Sequence, residues 1–154
     1  MDLTADLVTD AAASTLFAWI DDLANYPQWL DIVTKAVQAD AAPGDPGPAW
    51  TVDLRGRLGP LARTKRLRMV RSVHETDAAV TFDRRELDGR HHSPWVLRAT
   101  IEEAGTQRAL HMALHYGGGL FGSVIERVLR EEIRRSRDRL GTLAAAGPPP
   151  APSN

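Results

Sequence analysis

The sequence predicts an α+β fold in which a curved antiparallel sheet of seven strands wraps around a long C-terminal helix. Three observations predict it. Apolar and polar residues alternate along most of seven segments, which is the pattern of strands with one buried face. Glycine or proline turn signals mark four of the five connections between the last six segments, with no helix between them, so these strands form a meander. The chain then ends in its longest regular pattern, an amphipathic segment without proline.

One strand and two short helices are predicted at the start of the chain. Residues 2–9 alternate between apolar and polar side chains, as a half-buried strand does. Asp10 is placed to cap a first helix over Ala11–Ile20. The sequence NYPQWLD then predicts a second short helix that Asn25 caps and that ends near Leu30.

Six further strands are predicted from their alternation and from the turns between them. The loop DAAPGDPGPA at residues 40–49 is rich in proline and glycine, and Gly59-Pro60 and Ala104-Gly105 are turn signals. Asp88-Gly89 predicts a two-residue hairpin. The predicted strands are Ile32–Ala39, Trp50–Leu58, Leu61–Val73, Ala78–Leu87, His91–Glu103 and Gln107–Tyr116.

The last helix, over residues 121–146, is the only predicted element long enough to cover the apolar face of the sheet. It would measure about 39 Å at 1.5 Å per residue. A curved sheet that grips one helix often leaves a largely apolar pocket beneath it. Glycines at 117, 118, 119 and 122 predict a hinge at the mouth of that pocket. The apolar stripe of the helix comprises Phe121, Val124, Ile125, Val128, Leu129, Ile133, Leu140 and Leu143.

Length and composition indicate one domain with no strong attraction to polyanions. The 154 residues suggest a single domain over residues 1–146, and the proline-rich tail 147–154 is expected to be disordered. A net charge of -1 implies no bulk attraction to nucleic acid, and the absence of cysteine excludes disulfides and thiolate chemistry. No secretory signal or membrane-length apolar run is present in the sequence, so a cytoplasmic location is expected.

Three segments resemble the START-like superfamily with the helix-grip fold: NYPQWLDIV, the six-strand meander and GGLFGSVIERVLREEIRRSRDRL. Over residues 3–143 the chain looks like the bacterial polyketide cyclase/dehydrase and lipid transport branch, often labelled SRPBCC. The resemblance implies aromatase/cyclases, carriers of lipids and other hydrophobic ligands, quinone-binding proteins, ribosome-associated proteins or hormone receptors. The fold does not choose among these functions.

The leading hypothesis is a carrier or sensor that binds a hydrophobic small molecule, such as a lipid, polyketide or aromatic compound, without a cofactor. Trp29 of the YPQWL motif is expected to be a fold residue that packs the short helices on the sheet, with a place in the pocket wall as the alternative. For any single inward residue, core packing is the simpler interpretation, but as a set they outline a cavity wall. The expected binding residues are Trp50, Met69, Phe82, Arg84, Trp95, Leu97, Met112, Leu114, Tyr116, Phe121, Ile125 and Leu129.

A polyketide cyclase or aromatase is the alternative, and the residues leave open whether the chain is an enzyme. The resemblance implies that arginines and hydroxyl groups in the pocket would hold and polarise a polyketide chain. Arg84, Ser93 and Tyr116 are the candidates. His91 would be the general base, although a solvated loop histidine is the simpler interpretation of its place beside the predicted hairpin. Arg84 shares the inward alternation of its strand, but it can also end that strand and reach solvent.

Neither a metal nor a nucleic acid is expected as a partner. His111 and His115 alternate opposite to the apolar face and should point outward, with no acidic ligand pattern beside them. The run over residues 55–71 is basic and holds no acid, which gives a third hypothesis: contact with a ribosome or an anionic membrane. A solvated outer sheet face is the simpler interpretation of this run. A monomer or a weak homodimer is expected.

Overall fold

The computed structural model describes residues 1–58, 61–117 and 123–151, with side chains throughout except at residues 57, 58, 61–63, 123–126 and 128. Its architecture confirms the α+β class: one strand, two short helices, six strands and a final helix. In chain order the elements are β1 (Asp2–Thr9), α1 (Ala13–Ile20), a 3-10 helix (Leu23–Gln28), β2 (Val33–Ala39), β3 (Ala49–Leu58), β4 (Leu61–Glu75), β5 (Ala79–Arg84), β6 (Trp95–Ala104), β7 (Gln107–Tyr116) and α2 (Ser123–Ala146).

All seven strands form one antiparallel sheet in the order β1-β7-β6-β5-β4-β3-β2. Strand β1 pairs with β7 over its whole length, so the start of the chain lies beside the strand that precedes α2. The turn predicted at Ala104-Gly105 is confirmed, since Ala104 pairs with Gln107 and Gly105 has a φ of 64°. That conformation favours glycine because it has no Cβ. The meander thus places the apolar faces of all strands on one concave side.

Two predicted helix caps are wrong. Asp10 does not cap α1, because the helix begins only at Ala13 and has no side-chain cap. Asp22, rather than Asn25, caps the 3-10 helix, and its Oδ1 accepts the N–H of Ala24 at 2.9 Å. An acidic or amide residue near a helix start is a weak signal of the cap, because several such residues compete within a few positions.

The two-residue hairpin predicted at Asp88-Gly89 is also wrong. Residues 85–94 form a longer loop between β5 and β6. Within this loop the Asp88 carboxylate accepts the N–H of Arg90 at 3.0 Å and bonds the His92 ring at 2.8 Å. Gly89 has a φ of 70°. The Asp-Gly pair therefore makes a local turn inside the loop and does not join two paired strands.

The YPQWL motif connects the 3-10 helix to α1 and to the core. The Tyr26 hydroxyl donates to the carbonyl of Ile20 at 2.9 Å, and the Trp29 indole donates to the carbonyl of Trp19 at 3.3 Å. Tyr26 is fully buried, and this burial raises the pKa of its phenol. The ring of Tyr26 meets the ring of Phe82 edge-on at 6.3 Å. Trp29 therefore has the predicted role in the fold.

The C-terminal part of α2 is held at three points. The Trp19 indole donates to the carbonyl of Gly147 at 2.8 Å, and the Arg139 guanidinium pairs with the Asp31 carboxylate. Gly141 lies close to β1, since a Cβ there would be 3.3 Å from the Leu7 side chain. None of the described helices is long and apolar enough to span a membrane.

Some predictions concern residues or side chains outside the described part of the chain. These are the Gly59-Pro60 turn, the hinge glycines Gly118, Gly119 and Gly122, the end of the tail at 152–154, and the stripe residues Phe121, Val124, Ile125 and Val128. The described remainder of the stripe packs as predicted: Leu140 is fully buried, and Leu143 packs against the core.

Candidate functional site

A cavity of about 130 Å³ lies between the concave face of the sheet, the 3-10 helix and α2. A single water needs about 10–15 Å³ of such volume, so the space is roughly tenfold larger. Its wall is almost wholly apolar. Protein interiors are normally close-packed, and an unfilled apolar space of this size reduces stability. The cavity is therefore the feature of this fold that most needs a functional explanation.

Half of the residues predicted to bind a ligand line this cavity. They come from three different strands and from α2, as the prediction of a sheet closed by one helix requires. The alternation of each strand put these side chains on the concave face, and the structure brings them together around one space. The six residues are Met69, Trp95, Leu97, Met112, Leu114 and Leu129.

Four predicted binding residues lie outside the lining. Trp50 and Phe82 belong to the core, where their rings meet edge-on at 5.5 Å. Arg84 and Tyr116 lie towards the end of the sheet where β5 and β7 finish. Phe121 and the side chain of Ile125 are outside the described residues. Contact of any of these residues with a ligand stays a prediction.

Ser136 explains why space remains under α2. Leu129, Ile133, Ser136 and Leu140 follow one another at helical spacing on the face that lines the cavity. Ser136 is only 2% exposed, and its hydroxyl donates to the carbonyl of Glu132 at 2.7 Å, within its own helix. A small residue in the middle of an otherwise large apolar row leaves a gap between helix and sheet. This signal was present in the sequence, as an interruption of the stripe.

The 3-10 helix and the segment after it also form part of the cavity wall. Like Ser136, these residues are not among the predicted binding residues. Their apolar side chains close the cavity between strand β2 and α2. The residues are Leu23, Tyr26, Trp29, Leu30, Ile32 and Val33. Trp29 therefore holds the fold and also borders the cavity, which combines the two interpretations of the motif.

Two charged residues of α2, Glu132 and Arg137, belong to the lining of the cavity. Arg137 is exposed and Glu132 is half-buried, so these charges lie at the margin of the cavity. Asp6 on β1 is also part of the lining, but it is exposed and its carboxylate pairs with His111 on the outer face of the sheet. A ligand in the cavity would therefore contact a mainly apolar interior.

Arg84 lies on the concave face, as its alternation predicts, because it pairs in register with Met69. Its side chain is only 8% exposed, and its Nε donates to Glu86 Oε1 at 2.8 Å. The guanidinium also donates to the carbonyl of Ser93 at 3.3 Å and contacts His92 Nδ1 at 3.2 Å. These partners offset the cost of burying the charge. Arg84 is thus engaged within the protein and does not border the cavity.

The other catalytic candidates also lie away from the cavity. His91 is exposed, and neither His91 nor Ser93 belongs to the lining. His111 and His115 point outward, as their alternation predicts, and pair with Asp6 and Asp2 on the neighbouring strand β1. The hydrogen bond with His115 lowers the pKa of Asp2. In the ranges that the structure describes, no cluster of three or more histidine or acidic side chains is suited to a metal.

The described side chains of the basic run over residues 55–71 do not all lie on one surface, because those in β4 alternate between the two faces of that strand. Arg66 is exposed and makes a two-pronged pair with Asp53, at 2.7 and 3.0 Å. Arg68 is buried and pairs with Asp45 at 2.7 Å. Two of the seven positive charges in this run, those of Arg66 and Arg68, are therefore paired with acids that lie outside it.

Gly117 is required by a close contact, whatever the role of the glycines that follow it. Its N–H donates to the carbonyl of Pro94 at 3.0 Å, and a Cβ at Gly117 would lie 2.5 Å from the Pro94 ring. We expect Gly117→Ala to lower stability by about 1–3 kcal/mol through overpacking. Thermal unfolding measures this directly. Gly56→Ala is the control, since a Cβ there would meet no atom within 4 Å; equal melting temperatures for the two variants would contradict the steric argument.

The comparisons with known proteins agree with this architecture. The family model for polyketide cyclase / dehydrase and lipid transport matches residues 2–145. A START superfamily protein from Mycobacterium smegmatis superposes with a TM-score of 0.69 at 13% identity, covering 94% of this chain and 97% of that one. Protein CV1439 from Chromobacterium violaceum gives 0.65 at 10% identity, covering 93% and 96%. A search of curated protein sequences finds no match.

A third similar structure is the di-domain ARO/CYC StfQ from the steffimycin biosynthetic pathway, with a TM-score of 0.64 at 13% identity. The alignment covers 95% of this chain and 49% of StfQ, so the chain spans about half of that protein. At such low identity these structures establish the fold alone. Because the family model matches nearly the whole chain, the protein belongs to the polyketide cyclase/dehydrase and lipid transport family, with the START-like helix-grip fold.

Proposed function

We propose that the protein binds a hydrophobic small molecule, such as a lipid, polyketide or aromatic compound, in the cavity under α2, and acts as a carrier or sensor. The observation that carries this proposal is the apolar cavity itself, left open by a serine in the middle of the helical stripe. A ligand that fills the space restores the packing that the free protein lacks. The family description, which includes lipid transport, supports the same function.

Binding would be driven by the removal of apolar surface from water, at about 25 cal/mol per Å². Met69 and Met112 belong to opposite parts of the wall, and their flexible thioether chains adapt to irregular ligand shapes. An apolar cavity of about 150 Å³ is known to hold benzene. The cavity therefore has room for one aromatic ring or a short acyl segment, and a larger ligand requires α2 to move.

Binding without catalysis accounts for the site better than the cyclase alternative does. The guanidinium of Arg84 is held by Glu86, so it is not free to polarise a substrate carbonyl. Ser93 and His91 lie outside the cavity wall. The ribosome or membrane hypothesis receives little support from residues 55–71, because Arg66 and Arg68 are already paired with acids.

Native mass spectrometry of the purified protein tests the proposal. We expect a stoichiometric apolar adduct, or, where the protein purifies empty, saturable one-to-one binding of an added alkylbenzene or fatty acid. Titration of the same compounds by calorimetry should show a negative heat-capacity change, the mark of apolar burial. A protein that carries no adduct and binds no member of such a panel would refute the proposal.

A further inference from the structure

One end of the cavity carries a buried indole donor without a partner among the described residues. Trp95 lines the cavity, and its indole Nε1 is buried with no hydrogen-bond partner among the described residues. A buried donor without a partner costs free energy, and such groups are rare in native proteins. Trp95 pairs in register with Tyr116 on β7, and the two rings are 4.7 Å apart. The donor therefore lies beside an aromatic wall at the end of the sheet.

Lys65 brings a positive charge to the same end. It alternates along β4 with Leu67 and Met69, which line the cavity, and therefore faces the concave side, although Lys65 itself is not part of the lining. Its Nζ lies 5.6 Å from the centre of the Trp95 ring and 5.3 Å from that of the Tyr116 ring. Within the described part of the chain, the ammonium of Lys65 forms no salt bridge or hydrogen bond. The aromatic rings are thus its identified contacts.

The charges around this end do not balance. The carboxylate of Glu86 also attracts Lys65 electrostatically, but it is paired with Arg84 at 2.8 Å, so Lys65 and Arg84 share this one carboxylate within the described part of the chain. Burial, and next the charge of Arg84, lower the pKa of Lys65. An anion placed against Lys65 would offset both effects, since it would replace lost hydration and neutralise the excess charge.

We propose that Lys65 and Trp95 form the polar end of the cavity and hold a carboxylate of the ligand, which makes the ligand an apolar acid. This inference rests on the proposed function. A carboxylate has two oxygens, each able to accept a bond of about 2.9 Å. One oxygen takes the Trp95 N–H and the other takes the Lys65 ammonium, while the apolar part of the ligand lies along Leu97, Met112 and Leu114. The bond to the ammonium is charge-assisted and is the stronger of the two.

The test compares 4-butylbenzoate with its methyl ester, two compounds that share an apolar part and differ in charge. Isothermal titration of the natural protein should show the acid bound at least tenfold more tightly than the ester. Lys65→Met keeps the apolar stem of the side chain and removes the charge. Lys65→Met should weaken binding of the acid roughly 10- to 100-fold and change the affinity for the ester by less than about threefold. Trp95→Phe should weaken both compounds, because the ester carbonyl also accepts the indole N–H.

Arg66→Gln is the control for the charge change, because Arg66 is the next residue along β4 and is exposed on the opposite face. It should leave both affinities unchanged. Equal affinity for acid and ester in the natural protein, or an acid preference that survives in Lys65→Met, would overturn the carboxylate site while leaving the binding function intact. Failure of both compounds to bind would overturn this inference, and it would overturn the binding function as well if no other alkylbenzene or fatty acid binds. Circular dichroism of each variant separates a lost contact from a lost fold.

Discussion

Ser136→Leu is expected to abolish ligand binding while leaving the protein as stable as before. The leucine side chain would project from the centre of the stripe into the cavity, between Ile133 and Leu140. Each newly buried methylene contributes about 0.8 kcal/mol, and leucine is a better helix former than serine. Imperfect fit costs about 1–3 kcal/mol, so the two effects nearly cancel. Affinity for the ligand should fall more than about 100-fold, because its space is taken.

The loss of the Ser136 hydroxyl cannot account for this expected result. That hydroxyl donates to the carbonyl of Glu132, four residues earlier in the same helix, and such a bond adds little to helix stability. Ser136→Ala removes the hydroxyl and keeps the cavity, so it should bind within about threefold of the natural protein. Calorimetric titration and thermal unfolding of the two variants provide the comparison. A Ser136→Leu protein that binds normally would place the ligand elsewhere.

The fold was predictable because its signals are regular over long segments. Strand β7 has the predicted bounds, Gln107–Tyr116, since its alternation runs unbroken from one turn to the next. The hairpin signal at Asp88-Gly89 failed because a two-residue motif describes only its own turn, and the Asp88 side chain bonded within a longer loop. Regular periodicity thus predicts elements well, and short motifs predict connections poorly.

The cavity was only half predictable, for a different reason. Alternation assigns a side chain to a face of the sheet, but it does not say how far along that face the covering helix leaves space. Trp50 and Met69 are register partners on the same face, yet only Met69 borders the cavity. The cavity lies where α2 has a small side chain instead of a large one. A pattern of apolar residues shows which side chains fill space, but not where space is left. The sequence prediction therefore does not include Ser136, although its small side chain leaves the space that forms the cavity.

Lys65, Arg66 and Arg68 show the same principle for charge. In sequence they form one basic run, but the strand period of two sends Lys65 to the concave side and the other two to the outer side. Arg66 and Arg68 both lie on the outer side, but the loop that contains Asp45 covers Arg68 and leaves Arg66 exposed. The sum of charges along a segment is thus a poor guide to the charge that any single surface presents.

Arg68→Ala is expected to lower the melting temperature by an amount on the order of 10 °C. The side chains of Arg68 and Asp45 are only 9% and 8% exposed, and their atoms Nη2 and Oδ2 are 2.7 Å apart. Arg68 also donates to the carbonyls of Asp40 and Arg85, at 3.0 and 3.3 Å. It therefore holds the loop before β3 against the loop after β5. Its removal leaves two carbonyls without this donor and leaves the Asp45 carboxylate with the N–H of Ala42 but without its cation, which is the costly way to break a buried pair.

Arg66→Ala is the matched control, since Arg66 has the same charge, is two residues away, and pairs with an acid on the outer face. Its side chain is 70% exposed, and surface pairs of this kind contribute little, so the melting temperature should move by less than about 2 °C. Equal shifts in the melting temperatures of the two variants would mean that burial of the Arg68–Asp45 pair adds nothing to stability. The same measurement bears on the membrane hypothesis. If Arg68→Ala destabilises the protein, weaker binding of that variant to anionic membranes would reflect the damaged fold and not a lost membrane contact.

Acid should reduce the difference between the natural protein and Arg68→Ala. The hydrogen bond from Arg68 is the largest cause that lowers the pKa of Asp45 in the folded protein. A carboxyl whose pKa is lowered by folding contributes stability that is present above its unfolded pKa, near 4, and is lost as the pH falls through the folded value. The gap in melting temperature should therefore be full at pH 7 and shrink below about pH 4. A gap that stays constant to pH 3 would show that Arg68 acts through its bonds to the two carbonyls and not through the charge of Asp45.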